Sequence, residues 1–245
     1  MDINDIHKNW TDLGQDDAMW VVLTDPKKKG GKWSEAEFFE HGREEIGRVM
    51  RSLEEAKLPV RFEKALDFGC GLGRLSQALG NYFTHVDGVD VSASMIEQAK
   101  ALNKMPEKIH YHLNVKTDLS AFPSESYDFI YSSICLQHIP TNYQLSYISD
   151  FMRLLKDGGI AYFQTIHAHG WRKFVPNVAT DLFRKLKNRG KAFIPMYGVP
   201  ASRVRALIER GDGIIKINRA VNYGGWESRF VNDIFVAEKR LVGKF

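Results

Sequence analysis

The stretch Ala65-Leu66-Asp67-Phe68-Gly69-Cys70-Gly71-Leu72-Gly73-Arg74-Leu75 decides how the rest of the chain is read. An apolar run ends in an acid, three glycines follow at alternate positions, and an amphipathic segment begins. That order predicts a buried strand over about 64–68, a tight turn, and a helix over about 74–82. Glycine is needed where φ is positive, or where no Cβ can stand between backbone and ligand. The backbone N–H groups of this turn can therefore face a ligand seated on it.

Length and composition bound the answer. The chain has 245 residues, 44% hydrophobic and 26% charged, enough for one large core or a core with an appendage. No apolar run reaches the length of a membrane span. Met1-Asp2-Ile3-Asn4-Asp5 lacks the basic-then-apolar order of a secretory leader, so a cytoplasmic address is expected. Cys70 and Cys135 both sit in apolar surroundings and read as buried thiols rather than a disulfide or a nucleophile. A net charge of +4 does not demand nucleic acid. Eight histidines are scattered without metal-ligand spacing, so no metal is expected.

Ahead of the glycine stretch, Trp10, Trp20 and Trp33 punctuate a polar segment centred on Met19-Trp20-Val21-Val22-Leu23. Tryptophans so placed need an apolar surface to cover. The segment reads either as an arm packed on the domain or as a lid over a cleft, and the two are compatible. Thr24 to Gly31 reads as an exposed turn. Ser34-Glu35-Ala36-Glu37 is a capping box opening a helix that runs to about Lys57, with Phe39, Ile46, Val49, Met50 and Leu53 inward. Phe38, Phe39 and Gly42 are read mainly as packing.

Beyond the glycine stretch, His85-Val86-Asp87-Gly88-Val89-Asp90 reads as a second strand ending in an acid. An acid there can accept hydrogen bonds from both hydroxyls of a ribose. Ser94-x-x-Glu97 reads as a second capping box, and Met95, like Val91, can pack on a purine face. Lys108–Leu113 alternates as a third strand, followed by Asp118-Leu119. Tyr127–Ser133 is a buried fourth strand. Thr141 reads as the N-cap of the next helix, which Asp157-Gly158-Gly159 ends, and Ile160–Thr165 is a fifth strand.

Residues 166–199 are far longer than an ordinary strand–helix link. They carry Arg172, Lys173, Arg184, Lys185, Lys187, Arg189 and Lys191 against one acid, Asp181. A solvated basic face is one reading. The other is a cap for an anionic acceptor, with Tyr197 returning the chain toward the cleft. Pro200–Arg210 reads as a helix, and Gly213–Asn218 and Phe230–Glu238 as the last strands. Trp226 stands in a glycine loop between them and suggests substrate or subunit contact.

The dinucleotide fingerprint G-x-G-x-x-G would place its third glycine at Arg74 when counted from Gly69. The pattern present is Asp-x-Gly-x-Gly-x-Gly, Asp67 to Gly73. With Tyr127-Asp128-Phe129-Ile130, Leu136-Gln137-His138-Ile139 and Leu154-Leu155-Lys156-Asp157-Gly158-Gly159 in order, it resembles the Rossmann-like (class I) S-adenosylmethionine-dependent methyltransferases of the small-molecule type over about residues 62–166. Asp157 departs from the proline usual in that family. The N-terminal part also looks like that of a bacterial subgroup.

The resemblance implies an α/β fold: a seven-stranded, mostly parallel sheet with the last strand antiparallel and helices on both faces. It implies an N-terminal helical lid (1–57), a methyltransferase domain (58–245) and a basic cap inserted at 166–199. The cofactor implied is S-adenosyl-L-methionine, held by Asp67, Gly69, Gly71, Gly73, Asp90, Val91, Met95, Asp118, Leu119, Ser133 and Ile134. The acceptor is expected to be a small molecule, anionic or saccharide-like, with O-methylation favoured. A hydroxyl acceptor needs a base, whereas a carboxylate or phosphate needs none. His138 is the first choice and His167, with His169, the second, although His138 reads equally well as a packing or orienting residue. Trp20, Arg172, Lys173, Tyr197 and Trp226 are the acceptor-side residues. RNA methylation, NAD-dependent oxidoreduction and cofactor binding without turnover are the alternatives. The chain is expected to act as a monomer or homodimer, away from membrane and without nucleic acid.

Overall fold

The computed structural model describes residues 3–168, 194–221 and 230–241. Among them, seven strands form one sheet in the order β3-β2-β1-β4-β5-β7-β6. The strands are β1 (Lys64–Phe68), β2 (His85–Asp90), β3 (Ile109–Leu113), β4 (Tyr127–Ser132), β5 (Leu155–Ala168), β6 (Gly213–Val221) and β7 (Phe230–Lys239). The sheet is mostly parallel, and β7 runs antiparallel to both β5 and β6. Among the described residues no helix is long and apolar enough to cross a membrane.

The chain clusters into two compact units, one from residues up to 115 with 127–129, the other from 116–126 and the chain from 130 on. In the first, β1 pairs with β2 and β2 with β3, all parallel. The helices here are α1 (Ile3–Asp16), α2 (Ala18–Val22), α3 (Glu35–Glu55), α4 (Arg74–Leu79) and α5 (Ala93–Ala101). Ser34 caps α3 by accepting from the Glu37 N–H, as the capping box predicts. Gly42 lets α3 and α4 touch: a Cβ there would stand 2.5 Å from the Arg74 carbonyl. Arg74 is buried, and its Nη1 donates to Glu45 Oε2 at 2.9 Å. The side chain in the third-glycine slot thus ties two helices together.

In the second unit, α6 (Thr141–Leu154) and α7 (Ala201–Arg210) accompany β5, β7 and β6. The antiparallel register pairs Ile160 with Glu238 through to Ala168 with Phe230. Phe163 and Phe235 stack at 5.5 Å in a core where both are fully buried.

Three local expectations are corrected. α5 begins two residues earlier than read, because Ser92, not Ser94, holds the extended N-cap conformation and accepts from the Met95 N–H. Ser94 Oγ donates instead to the Thr11 carbonyl of α1. Thr141 is already helical, with Pro140 at the cap position, and its hydroxyl donates to the Gly198 carbonyl. Asp157-Gly158-Gly159 does not end a helix. Leu155 is already extended (φ −68°, ψ 134°), and the three residues lie inside β5.

Candidate functional site

The glycine turn leaves β1 with Gly69, Gly71 and Gly73 at φ +80°, +51° and +80°. L side chains rarely adopt these values, which is why glycine recurs here. The N–H groups do not face outward as expected. Gly69 and Cys70 both donate to the Val89 carbonyl, and Gly71 donates to Asp90 Oδ2 at 2.9 Å. Asp90 also accepts the Ser92 N–H at Oδ1, 2.9 Å, so its carboxylate is oriented at the β2 terminus. Burial pushes the Asp90 carboxyl up, and these backbone bonds oppose it.

Asp67 is buried, and its Oδ2 accepts the Ser76 hydroxyl at 2.6 Å. Its Oδ1 is buried with no hydrogen-bond partner among the described residues. Burial pushes the Asp67 carboxyl up to about 7, with the Ser76 bond and the Arg74 charge pulling the other way. An orphaned, electron-rich oxygen beside a glycine turn suits a cationic ligand group such as an ammonium. Gly73 serves packing rather than a ligand: a Cβ there would stand 2.0 Å from the Tyr111 hydroxyl. Met95 is likewise buried, in a cluster with Phe38, Phe39 and Leu72.

The N-terminal arm covers that cluster. Trp10, Trp20 and Trp33 all pack against it. The Ser92 cap and two α5 side chains donate to α1 carbonyls: Ser92 Oγ to Trp10, Ser94 Oγ to Thr11 and Gln98 Nε2 to Gly14. Val22 Cγ2 lies 3.1 Å from where a Gly71 Cβ would stand, so the arm reaches the glycine turn itself. Trp20 donates its Nε1–H to the Asp25 carbonyl and carries Lys29 over its ring at 4.9 Å. It is an arm-packing residue, not an open acceptor contact.

In the second unit, Asp118 accepts the Ser120 N–H and stands half-exposed, its carboxyl held below the usual range first by Ser120. The Leu119 N–H donates to Asp150 Oδ2 at 2.7 Å and its side chain is buried, so it is taken up by the fold. Ile134, just past β4, has φ +54° while 39% exposed. A β-branched residue held there marks stored strain, which concentrates at functional sites.

The two histidines separate clearly. His138 is buried; its Nδ1–H donates to the Pro195 carbonyl at 2.6 Å, and Gln137 Nε2 donates to its Nε2 at 3.1 Å. Burial lowers its pKa to about 4 against the opposing Pro195 bond. With both nitrogens engaged, His138 orients the 195–197 segment and is not placed to take a proton. Tyr197 beside it is also buried, its N–H donating to the Gln137 carbonyl. His167 lies within β5 rather than beyond it, and its Nδ1–H donates to Asp233 Oδ2 of β7 at 2.5 Å. Asp233 is 4% exposed and His167 about one third, so a buried carboxylate orients a ring that reaches solvent. Sequence reasoning did not single out Asp233; the signal is its polar pair with Asn232 between the apolar Phe230-Val231 and Ile234-Phe235-Val236-Ala237 of β7. Arg172, Lys173, His169, Trp226 and most of the basic cap lie outside the described residues.

Comparison with known proteins gives one direction. Residues 66–163 match a family described as "Methyltransferase domain". A "Ubiquinone biosynthesis O-methyltransferase" of Thiobacillus denitrificans is 27% identical over 158 residues, 64% of this chain and 67% of the relative. One of the same name from Coxiella burnetii is 31% identical over 114 residues, 46% of this chain and about half (47%) of the relative. The crystal structure of magnesium protoporphyrin IX methyltransferase from Synechocystis PCC 6803 with bound SAH superposes with a TM-score of 0.61. It covers 97% of this chain and 100% of that one at 17% identity, a likeness of fold.

Proposed function

We propose that this chain, whose residues 66–163 match a methyltransferase domain family, uses S-adenosylmethionine to methylate a hydroxyl oxygen of a small acceptor. The observation that carries this reading is the His167–Asp233 pair. O-methyltransferase relatives support the oxygen acceptor.

When bound, S-adenosylmethionine would supply an electrophilic sulfonium methyl for the acceptor oxygen. The chain's own residues align the partners and manage one proton, since charge disperses in such a transition state and positioning dominates. In this reading Gly69 and Gly71 give the cofactor close approach to the backbone. Asp90 takes the ribose hydroxyls, Asp67 Oδ1 the methionine ammonium, Asp118 the adenine amino group, and the Ser133–Ile134 backbone the adenosine edge, with Val91 against the purine. Residues 1–57 act as the lid, closed through Val22 on Gly71. His167 accepts the hydroxyl proton at Nε2 while Asp233 holds Nδ1–H, which fixes the tautomer and steadies the imidazolium. The basic residues of 166–199 favour an acceptor that also carries negative charge.

The test measures S-adenosylhomocysteine release with phenols, sugar hydroxyls and carboxylates, some phosphorylated. A hydroxyl acceptor is expected to turn over, and His167→Ala to lower kcat about 10²–10⁴-fold with cofactor affinity unchanged. Asp233→Asn is expected to lose most of the same factor. Turnover confined to carboxylates, or indifferent to His167, overturns the hydroxyl reading.

A further inference from the structure

Four groups that stand apart in sequence meet on one face of β2 and β3. Side chains alternate along a strand, so His85 and Asp87 share a face of β2, and His110 and His112 share a face of β3. The parallel register sets Asp87 beside His110 and Val89 beside His112. The opposite face belongs to the core, where Tyr111 meets Gly88, Gly73 and the Ser76 side chain of α4 lies against Gly88. β3 follows this rule in its burial: Ile109 and Tyr111 are buried, His110 is exposed and His112 half-exposed.

We propose that His85, Asp87 and His110 form a binding site for a divalent transition-metal ion of the zinc type. One ligand atom from each lies within 4.8 Å of the other two. Asp87 Oδ1 is already the meeting point, 2.7 Å from His112 Nε2 and 3.4 Å from His85 Nε2. Its other oxygen is pinned by Lys64 Nζ at 2.9 Å and the Tyr127 hydroxyl at 2.8 Å, which aims Oδ1 at the rings. Burial pushes the Asp87 carboxyl up, but the bonds from His112, Lys64 and Tyr127 outweigh it and keep the group anionic.

Ligands of one tetrahedral ion at bond lengths of about 2.0–2.1 Å stand about 3.4 Å apart, so the rings must close by an ångström or so. His85, half-buried, and His110, exposed, stack at 4.8 Å, so the rings already stand side by side. Imidazole with one carboxylate selects zinc, nickel or cobalt and is a poor set for magnesium or calcium. The site stands independently of the methyl-transfer reading.

The probe is Zn²⁺ alone, titrated calorimetrically into the full chain, with Mg²⁺ as comparator and Co²⁺ absorption as a signature of the coordination sphere. One Zn²⁺ per chain is expected, with no saturable Mg²⁺ binding. His110→Ala and His85→Ala should each weaken Zn²⁺ binding by about tenfold or more, since losing even an outer partner of a ligand costs about that much. Unchanged far-UV circular dichroism and melting temperature in both variants report that they are folded. No saturable Zn²⁺ binding to the parent chain, or Zn²⁺ binding that neither substitution weakens, overturns the site.

Discussion

Asp67 sets burial against charge. Its carboxyl is 1% exposed with a pKa pushed up to about 7, and one oxygen is unpartnered among the described residues. A folded-state pKa raised above the unfolded value contributes stability below about pH 3.8 and loses it as pH rises through about 7. A cationic group at Oδ1 reverses that penalty by favouring the ionised form. S-adenosylmethionine affinity is therefore expected to rise between pH 6 and 8, by up to about tenfold per unit below the pKa. Asp67→Asn should weaken binding and flatten the slope in that window. Calorimetry across pH checks this, and an unchanged slope in the variant removes Asp67 from the cofactor's ammonium. The residue's place in the motif was legible from the spacing of its glycines. Its altered acidity was not, because that comes from burial by elements elsewhere in the chain, which the Ser76 bond only partly opposes. The same holds for the histidines. Sequence favoured His138 by position, and only contacts with Pro195 and Asp233 distinguish a buried ring with both nitrogens engaged from a partly exposed ring held by a carboxylate.

At the scale of elements, the strand–turn–helix around Gly73 is held by fit. Gly73 caps α4 at φ +80°, with the Tyr111 hydroxyl 2.0 Å from any added Cβ. Gly73→Ala combines the cost of a positive φ with overpacking against a buried ring, together about 2–4 kcal/mol. Chemical unfolding should show that loss, and a change under about 0.5 kcal/mol would mean that Tyr111 yields freely. Glu45 tests the α3–α4 contact. Its removal leaves the Arg74 guanidinium buried and short of its ion-pair partner, expected to cost about 3 kcal/mol in the same measurement. Element identity was readable from periodicity almost throughout. Starts and stops were less so, because a cap belongs to whichever residue takes the non-helical backbone. Ser94 lost that role when its hydroxyl was drawn to α1. Asp157-Gly158-Gly159 looked like a helix stop and became strand.

For the molecule as a whole, the N-terminal arm is the largest commitment. It places Trp10, Trp20 and Trp33 over a cluster of Phe38, Phe39, Leu72 and Met95, next to the glycine turn. Deleting residues 1–33 should lower the melting temperature by several degrees, as expected for a few kcal/mol of lost burial in a chain of this size. It should also speed S-adenosylhomocysteine release in stopped-flow. A truncated chain with unchanged release would reduce the arm to packing alone.

The sequence by itself determined the α/β class, the strand–turn–helix around Asp67–Gly73 and the nature of nearly every element. These rest on short-range physics: alternation, helical spacing, and glycine where the backbone needs positive φ. The tertiary structure alone decided which histidine a carboxylate orients, which glycine N–H groups are already spent, and that His85, Asp87 and His110 meet on one face of the sheet. Those outcomes depend on strand register and on partners as distant as Asp233 from His167, and no local pattern carries that information.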